Sequence, residues 1–199
     1  MSAALETLYE SARLPVPAAL AGWHEKVSAW CDAYATRSPR AHVVEIVLGP
    51  AVFVFDHTFE RVVLAYAVSV PQLLQRDTSR IRGFPNVNLS VRKALGSGAF
   101  IADRGHFLGH ASGGELDINL FPHRRTLNRG WSSEGKRFRQ MEAFVAKHSG
   151  CFFYHLALYD DASWIPAKLE YGILGEGGKW RVEQFNNKLK VRKVRHTRQ

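Results

Sequence analysis

The sequence predicts an α+β fold, an antiparallel sheet with an N-terminal helical segment packed against it. Three observations predict it. Apolar residues at helical spacing are confined to the first 35 residues and to one later stretch, Asn128 to Lys147. Elsewhere the apolar residues alternate or run continuously and are rich in β-branched and aromatic types, as strands are. The strand candidates cluster on either side of the later helix and are joined by short turns, as antiparallel neighbours are.

The elements follow in order. Ser2 to Arg13 reads as a short helix, with Leu5, Leu8 and Tyr9 on one face and Pro15 and Pro17 beyond its end. Pro17 to Ala35 reads as a second helix, with Leu20, Trp23, Val27, Trp30 and Tyr34 aligned. His42 to Leu48, Ala51 to Phe55 and Arg61 to Val68 read as strands, separated by Gly49-Pro50 and Asp56-His57-Thr58. Pro71 to Leu74 reads as a helical turn and Asp77 to Gly98 as a long basic loop. Phe100 to His106 and Glu115 to Phe121 read as two further strands, the second closed by Pro122. Asn128 to Lys147 then reads as one long helix stopped at Gly150. Phe152 to Tyr159, Trp164 to Leu174 and Lys179 to Phe185 read as three antiparallel strands.

Length and composition limit the function classes. A chain of 199 residues can bury one full core. Its 46% hydrophobic and 23% charged residues are those of a globular protein and unlike a disordered one. The most apolar region, Ala51 to Val70, is broken by Asp56, His57, Glu60 and Arg61, so no membrane span is expected. Glu6 and Glu10 in the first 14 residues, with no basic region before them, argue against a cleaved signal peptide. The expected location is the cytoplasm, or outside the cell by a route needing no such signal. Cys31 and Cys151 are too few for a disulfide scaffold and read as small buried apolar residues, and Trp131 and Trp164 as core packing.

The net charge is +9, of which +7 falls in residues 101–199 and +2 in residues 1–100. A basic half that also carries the His-containing segments suggests a polyanionic partner, nucleic acid first.

Three segments of that half carry chemistry. They are Asp103-Arg104-Gly105-His106, Asn119-Leu120-Phe121-Pro122-His123, and Leu127-Asn128-Arg129-Gly130-Trp131 with Met141-Glu142 beyond. Phosphodiester hydrolysis needs a base for the attacking water, and a neutral imidazole serves near pH 7. It also needs positive charge at phosphorus and at the leaving oxygen, which a divalent cation supplies. Mg²⁺ keeps several waters, so one or two protein oxygens can hold it. A guanidinium can grip a non-bridging oxygen through two hydrogen bonds. His106, Asn128 and Arg104 offer one of each. A zinc site built on His106, His110 and His123 is disfavoured, because the His106–His110 spacing suits zinc on a helix rather than on a strand and Gly loop.

These segments resemble the DNA/RNA non-specific endonuclease family, within the ββα-metal (His-Me finger) nucleases. The resemblance is carried by D-R-G-H at Asp103 to His106, N-x-x-P at Asn119 to Pro122, and L-N-x-G at Leu127 to Gly130, with Asn128 nine positions after Asn119. It is firm over residues 100–145, looser through 185 and faint before 77.

The resemblance implies a ββα-metal motif within the sheet-containing fold and a division into residues 1–75, packing on the core, 76–187, the nuclease core, and 188–199, a basic tail. It implies that His106 is the general base, Asn128 the direct metal ligand, Arg104 a phosphate contact, and Asn119 a hydrogen-bonding support. Glu142 would steady the hydrated cation from beyond its direct ligands. Mg²⁺, or another divalent ion such as Mn²⁺, would be the cofactor, and DNA and RNA the substrates, with low sequence specificity. Arg124, Arg125, Arg129 and Arg139 surround the metal helix and are expected to track phosphates. A nuclease this indiscriminate endangers its own cell, which suggests a delivered toxin domain held by an inhibitor or immunity protein. The rival is a non-catalytic nucleic-acid-binding module with the same fold.

The sequence departs from the family at two places. His123 stands where Gln is frequent. Glu142 lies 14 residues after Asn128, on nearly the same helical face but ~21 Å along a continuous helix. Either a loop intervenes between Gly130 and Gly135, or Glu142 is not the supporting acid and Glu134 takes its place.

Overall fold

The computed structural model describes residues 3–70, 102–114 and 117–189. The turn expected at Pro71 to Leu74, the basic loop Asp77 to Gly98 and the tail past Leu189 lie outside the described residues.

Two helices open the chain, α1 (Ala3–Ala12) and α2 (Trp23–Arg37). The latter starts later than the sequence suggests, because Pro17 leads into a separate 3₁₀ turn at Ala18–Leu20. Strands β1 (Val43–Leu48), β2 (Ala51–Asp56) and β3 (Arg61–Val68) follow as a meander. After a separate hairpin and helix, β6 (Phe152–Leu158), β7 (Lys168–Leu174) and β8 (Trp180–Asn186) complete a six-stranded antiparallel sheet in the order β1-β2-β3-β6-β7-β8. Val68 pairs with Phe152 and Leu64 with Leu156, so the sheet draws strands from both ends of the chain. The last hairpin begins at Lys168 rather than Trp164, just after Pro166.

The continuous apolar runs of β2 and β3 are buried on both faces. Val52, Val54, Tyr66 and Val68 meet Leu5, Leu8, Tyr9, Trp23 and Val27 of the N-terminal helices. Phe53, Phe55, Ala65 and Ala67 belong to a second cluster with Phe107, Phe121, Phe138, Met141 and Val145. The sheet is therefore the middle layer, covered by α1 and α2 on one side and by the segment holding the three motifs on the other. That double burial requires strands without the polar alternation of a solvated sheet. Among the described residues no helix is long and apolar enough to cross a membrane.

The motif segment has three parts. Strand β4 (Ala102–His106) pairs antiparallel with β5 (Leu120–Arg124) in a two-stranded sheet of its own. A single helical turn α3 (Arg125–Asn128) follows, then α4 (Ser133–Lys147).

Two expectations are corrected here. The second strand is Leu120–Arg124 rather than Glu115 to Phe121, a 3₁₀ turn at Asp117–Asn119 precedes it, and Pro122 sits inside it instead of closing it. Proline is tolerated because β5 is an edge, and its carbonyl accepts from Asn187 Nδ2 at 3.0 Å. The long helix read from Asn128 to Lys147 is two helices. Gly130, with φ 69°, ends the first. Trp131 N–H donates to Thr126 C=O at 3.0 Å and Gly130 N–H to Leu127 C=O at 3.1 Å, the paired bonds of a glycine-terminated helix. The Ser132 side chain then caps the second helix by accepting from Gly135 N–H at 3.0 Å.

Candidate active site

The break at Gly130 folds α4 back beside α3, and this places residues 14 apart in sequence on one cleft. An ideal Cβ on Gly135 would lie 2.5 Å from Thr126 C=O, so the two helices touch through bare backbone. The resulting cleft, about 330 Å³, is lined by His106, His110, Asn128, Arg139, Glu142 and Tyr171, with Gly109 to Ser112, Ala143 and Ala146 completing its walls.

His106 ends β4 opposite Leu120. The chain after it is pinned from the next strand. Phe107 N–H donates to Asn119 C=O at 3.0 Å. Buried Asn119 clamps Leu108 with both ends of its amide, Oδ1 accepting from Leu108 N–H at 2.8 Å and Nδ2 donating to Leu108 C=O at 2.9 Å. Phe107 stacks on Phe121 in the core, 4.3 Å between ring centres. Asn119 thus fixes the backbone beside His106 and stays out of the cleft. Arg104, opposite Pro122 and two residues before His106, is not in the cleft lining.

Asn128 is oriented by Asp103. Its Nδ2 donates to Asp103 Oδ2 at 3.3 Å, and since a carboxylate only accepts, the amide oxygen is the atom turned elsewhere. Asp103 also accepts from Arg129 Nε at 2.6 Å and Arg125 Nε at 2.8 Å. Burial alone would raise its pKa, but the hydrogen bonds from Arg129, Arg125 and Asn128 outweigh that and hold it below the usual carboxylate range.

Glu142 faces the cleft and pairs with Arg139 Nη1 at 2.7 Å. Burial raises its pKa, with Arg139 opposing the shift. Glu134 is committed elsewhere. It pairs with Arg124 and accepts from Asn186 N–H at 2.6 Å, bracing α4 against the end of β8. The cleft therefore receives the acid at 142 and not the one at 134.

Each of Arg124, Arg125, Arg129 and Arg139, expected to track phosphates, has a carboxylate partner. Arg124 is the most enclosed of them, at 19% side-chain exposure against 58% for Arg139. Its backbone N–H donates to Asn187 Oδ1 at 2.7 Å, and Asn187 Nδ2 reaches both Pro122 and Pro166 carbonyls, so this buried residue stitches β5 to the sheet. Nothing in the sequence marks Asn187, because its partners are backbone atoms far away in the chain.

His123 is wholly buried, tilted against Phe121 and edge-on to Phe138. It covers Gly105, where an ideal Cβ would sit 2.4 Å from the His123 Cβ, so the glycine of D-R-G-H makes room for it. Burial, with His155 nearby, pushes the His123 pKa down to about 3, and burial does the same to His155. Neither ring has a well-formed hydrogen bond among the described residues, though the Asn128 amide borders His123.

Three other residues depart from expectation. Trp131 is not in the core but 64% exposed, while Cys31 and Cys151 are free and only half-buried.

A wider cleft of about 550 Å³ lies between Tyr34, Arg37, Arg40, Phe59, Arg61 and Tyr159. Its buried Arg61 donates to Tyr34 Oη, to the carbonyls of Asp161 and Ser163 and to Ser38 Oγ, which makes it a structural tie between α2 and the loop after β6.

The fold is distantly similar to a solved structure described as an extracellular nuclease, with a TM-score of 0.41 and 11% identity over 76% of this chain and 86% of that chain. No protein-family model matches the chain, and no curated protein does.

Proposed function

We propose that this protein is a divalent-metal-dependent endonuclease that hydrolyses phosphodiester bonds of the ββα-metal type, with His106 as general base and Asn128 as the metal-holding residue. The observation that supports this reading is the meeting of His106, Asn128 and Glu142 in one cleft from a strand end, a one-turn helix and the following helix. Fold resemblance alone would not carry it, since one fold hosts many functions.

The residues fit a hydrated Mg²⁺. Asp103 takes the amide nitrogen of Asn128 and leaves the oxygen as donor. Among the described residues no group of three His, Cys, Asp or Glu gathers, so water would complete the shell, as Mg²⁺ prefers. When bound, the ion would neutralise charge developing on the phosphate and the leaving oxygen. His106 would take the proton of the attacking water, held in place by the Asn119 clamp on the next two residues. Glu142 would orient water around the ion, and Arg139 would exchange part of its pairing with Glu142 for a phosphate oxygen. Contacts of this kind reach the sugar–phosphate chain and not base edges, so DNA and RNA are both substrates in this reading.

Plasmid nicking in Mg²⁺ and in EDTA tests it. The wild type should nick only with Mg²⁺. His106→Ala should lose cleavage while keeping its circular dichroism spectrum and melting temperature. Asn128→Ala should raise the Mg²⁺ needed for half-maximal cleavage. Tight DNA binding without metal-dependent cleavage by the wild type would favour a non-catalytic binding module.

A further inference from the structure

Trp131 is out of place for its chemistry. It follows Gly130 at the end of α3, where an apolar residue ordinarily packs back onto the helix it terminates. Here the residue is 64% exposed, the most exposed large apolar residue among the described ones. It is also held. The backbone N–H of Trp131 is bonded to Thr126 C=O, and the Arg129 guanidinium lies 5.1 Å from the ring centre. That guanidinium is fixed in turn by Asp103 through Nε at 2.6 Å and Nη2 at 3.3 Å. An indole with a tethered cation beside it is a solvent-facing aromatic surface. The position matters too. Asn128, in the cleft lining, is three residues away, within ~10 Å of backbone, and a Cβ added at Gly130 between them would lie 3.2 Å from Cγ of Arg139, a residue of the cleft wall.

We infer that Trp131 is a stacking platform for a nucleobase next to the phosphate in the cleft, so that the preferred substrate is single-stranded or locally unpaired nucleic acid. The inference rests on the nuclease reading above and narrows its substrate class. A base inside a duplex has both faces covered by its neighbours and cannot offer one to an indole. An unpaired base can, and such stacking is largely indifferent to base identity. Phosphate contacts by Arg139 and the other guanidiniums would serve both forms alike, so Trp131 is the residue that separates them.

The test is binding measured by fluorescence anisotropy in EDTA, so that cleavage does not interfere, with a labelled 12-mer of oligothymidylate and a labelled 12-base-pair blunt duplex. The wild type should bind the single strand more tightly, and binding should quench its tryptophan emission. Trp131→Ala should weaken single-strand binding by roughly five- to thirty-fold, the lower part of the range for one base–aromatic stack, and leave duplex binding unchanged. Trp131→Tyr should retain most of the affinity. The ring is exposed, so both variants should keep the wild-type melting temperature. Unchanged single-strand affinity in Trp131→Ala, or an equal loss on both ligands, would overturn the proposal while leaving the nuclease reading intact. No binding of either ligand by the wild type would likewise overturn the proposal, while Mg²⁺-dependent plasmid nicking decides the nuclease reading separately.

Discussion

Asp103 Oδ2 and Asn128 Nδ2 lie 3.3 Å apart, and this contact decides which end of the Asn128 amide faces the carboxylate. The motif D-R-G-H contains Asp103, yet the sequence offers no role for it. In the structure it gathers Asn128, Arg125 and Arg129 at one carboxylate. Removing its charge should loosen the Asn128 amide and leave the two guanidiniums without their partner. Asp103→Asn is expected to raise the Mg²⁺ concentration for half-maximal cleavage and to lower cleavage by roughly ten- to a hundred-fold, the usual effect of losing a group that orients a metal ligand. Its melting temperature should fall little, since partly exposed ion pairs contribute about 0–1 kcal/mol. A Mg²⁺ titration of nicking rate checks the first expectation and a thermal melt the second.

Gly135 should be intolerant of any side chain. A methyl group there would meet Thr126 C=O at 2.5 Å and Gly130 Cα at 3.0 Å, backbone that cannot swing aside. Gly135→Ala is expected to cost ~1–3 kcal/mol of stability as an overpacking change. Because separating α3 from α4 also separates Asn128 from Glu142, cleavage should fall further than stability does. Urea unfolding beside nicking rates at a temperature where the variant stays folded distinguishes the two effects.

The same junction shows how far the sequence could be read. The order of strands and helices was legible because β2, β3 and β6 bury both faces and so carry apolar runs with few interruptions, His155 being the one inside β6, while α4 keeps Phe138, Met141 and Val145 on a single face. The helix break was legible in part. Gly130 followed by Ser132 is a stop followed by a cap, but apolar spacing continues across it and suggests one helix. The shift of β5 was hidden because Pro122 reads as a terminator unless the edge it occupies is known. Asn187, Asp103 and Trp131 were not legible as they stand, since what matters for each is a distant backbone carbonyl, a set of partners or an exposure, none of which local pattern encodes. That His106 and Asn128 could face one another was readable from motif order, whereas that Glu142 rather than Glu134 lines the same cleft waited for the fold.

Asn187 should carry more stability than its lack of charge suggests. It is fully buried, and its amide satisfies Arg124 N–H and the carbonyls of Pro122 and Pro166. Asn187→Ala would strand these backbone groups away from water. The expected loss is about 2–4 kcal/mol, the cost of leaving more than one buried group unpaired. Asn187→Asp should be no milder, since it buries a charge and removes the donor to both carbonyls. Chemical denaturation of the two variants checks this.

Acid should destabilise the protein well before its carboxylates titrate. His123 and His155 both fall to about 3 in the folded state through burial, against ~6.5 in an unfolded chain. Between those values the unfolded chain binds protons that the folded one refuses, so unfolding becomes easier as pH drops. The stabilisation is complete above ~6.5 and is lost progressively below it. Asp103, whose pKa is lowered in the fold, adds to the loss only nearer the unfolded carboxylate value of ~3.9, and the raised Glu142 acts in the opposite sense. Between pH 6.5 and about 4.5 the buried imidazoles therefore drive the loss, and Glu142, which binds its proton more readily in the fold, offsets part of it toward the acid end. Urea unfolding at several pH values in that window should show proton uptake on unfolding, up to one proton for each buried ring less the proton Glu142 already holds in the fold. His155→Leu should reduce that uptake by about one proton, whatever it does to stability at neutral pH, because the slope depends only on proton numbers. A slope unchanged by that substitution would mean that His155 is charged, or solvated, in the folded protein.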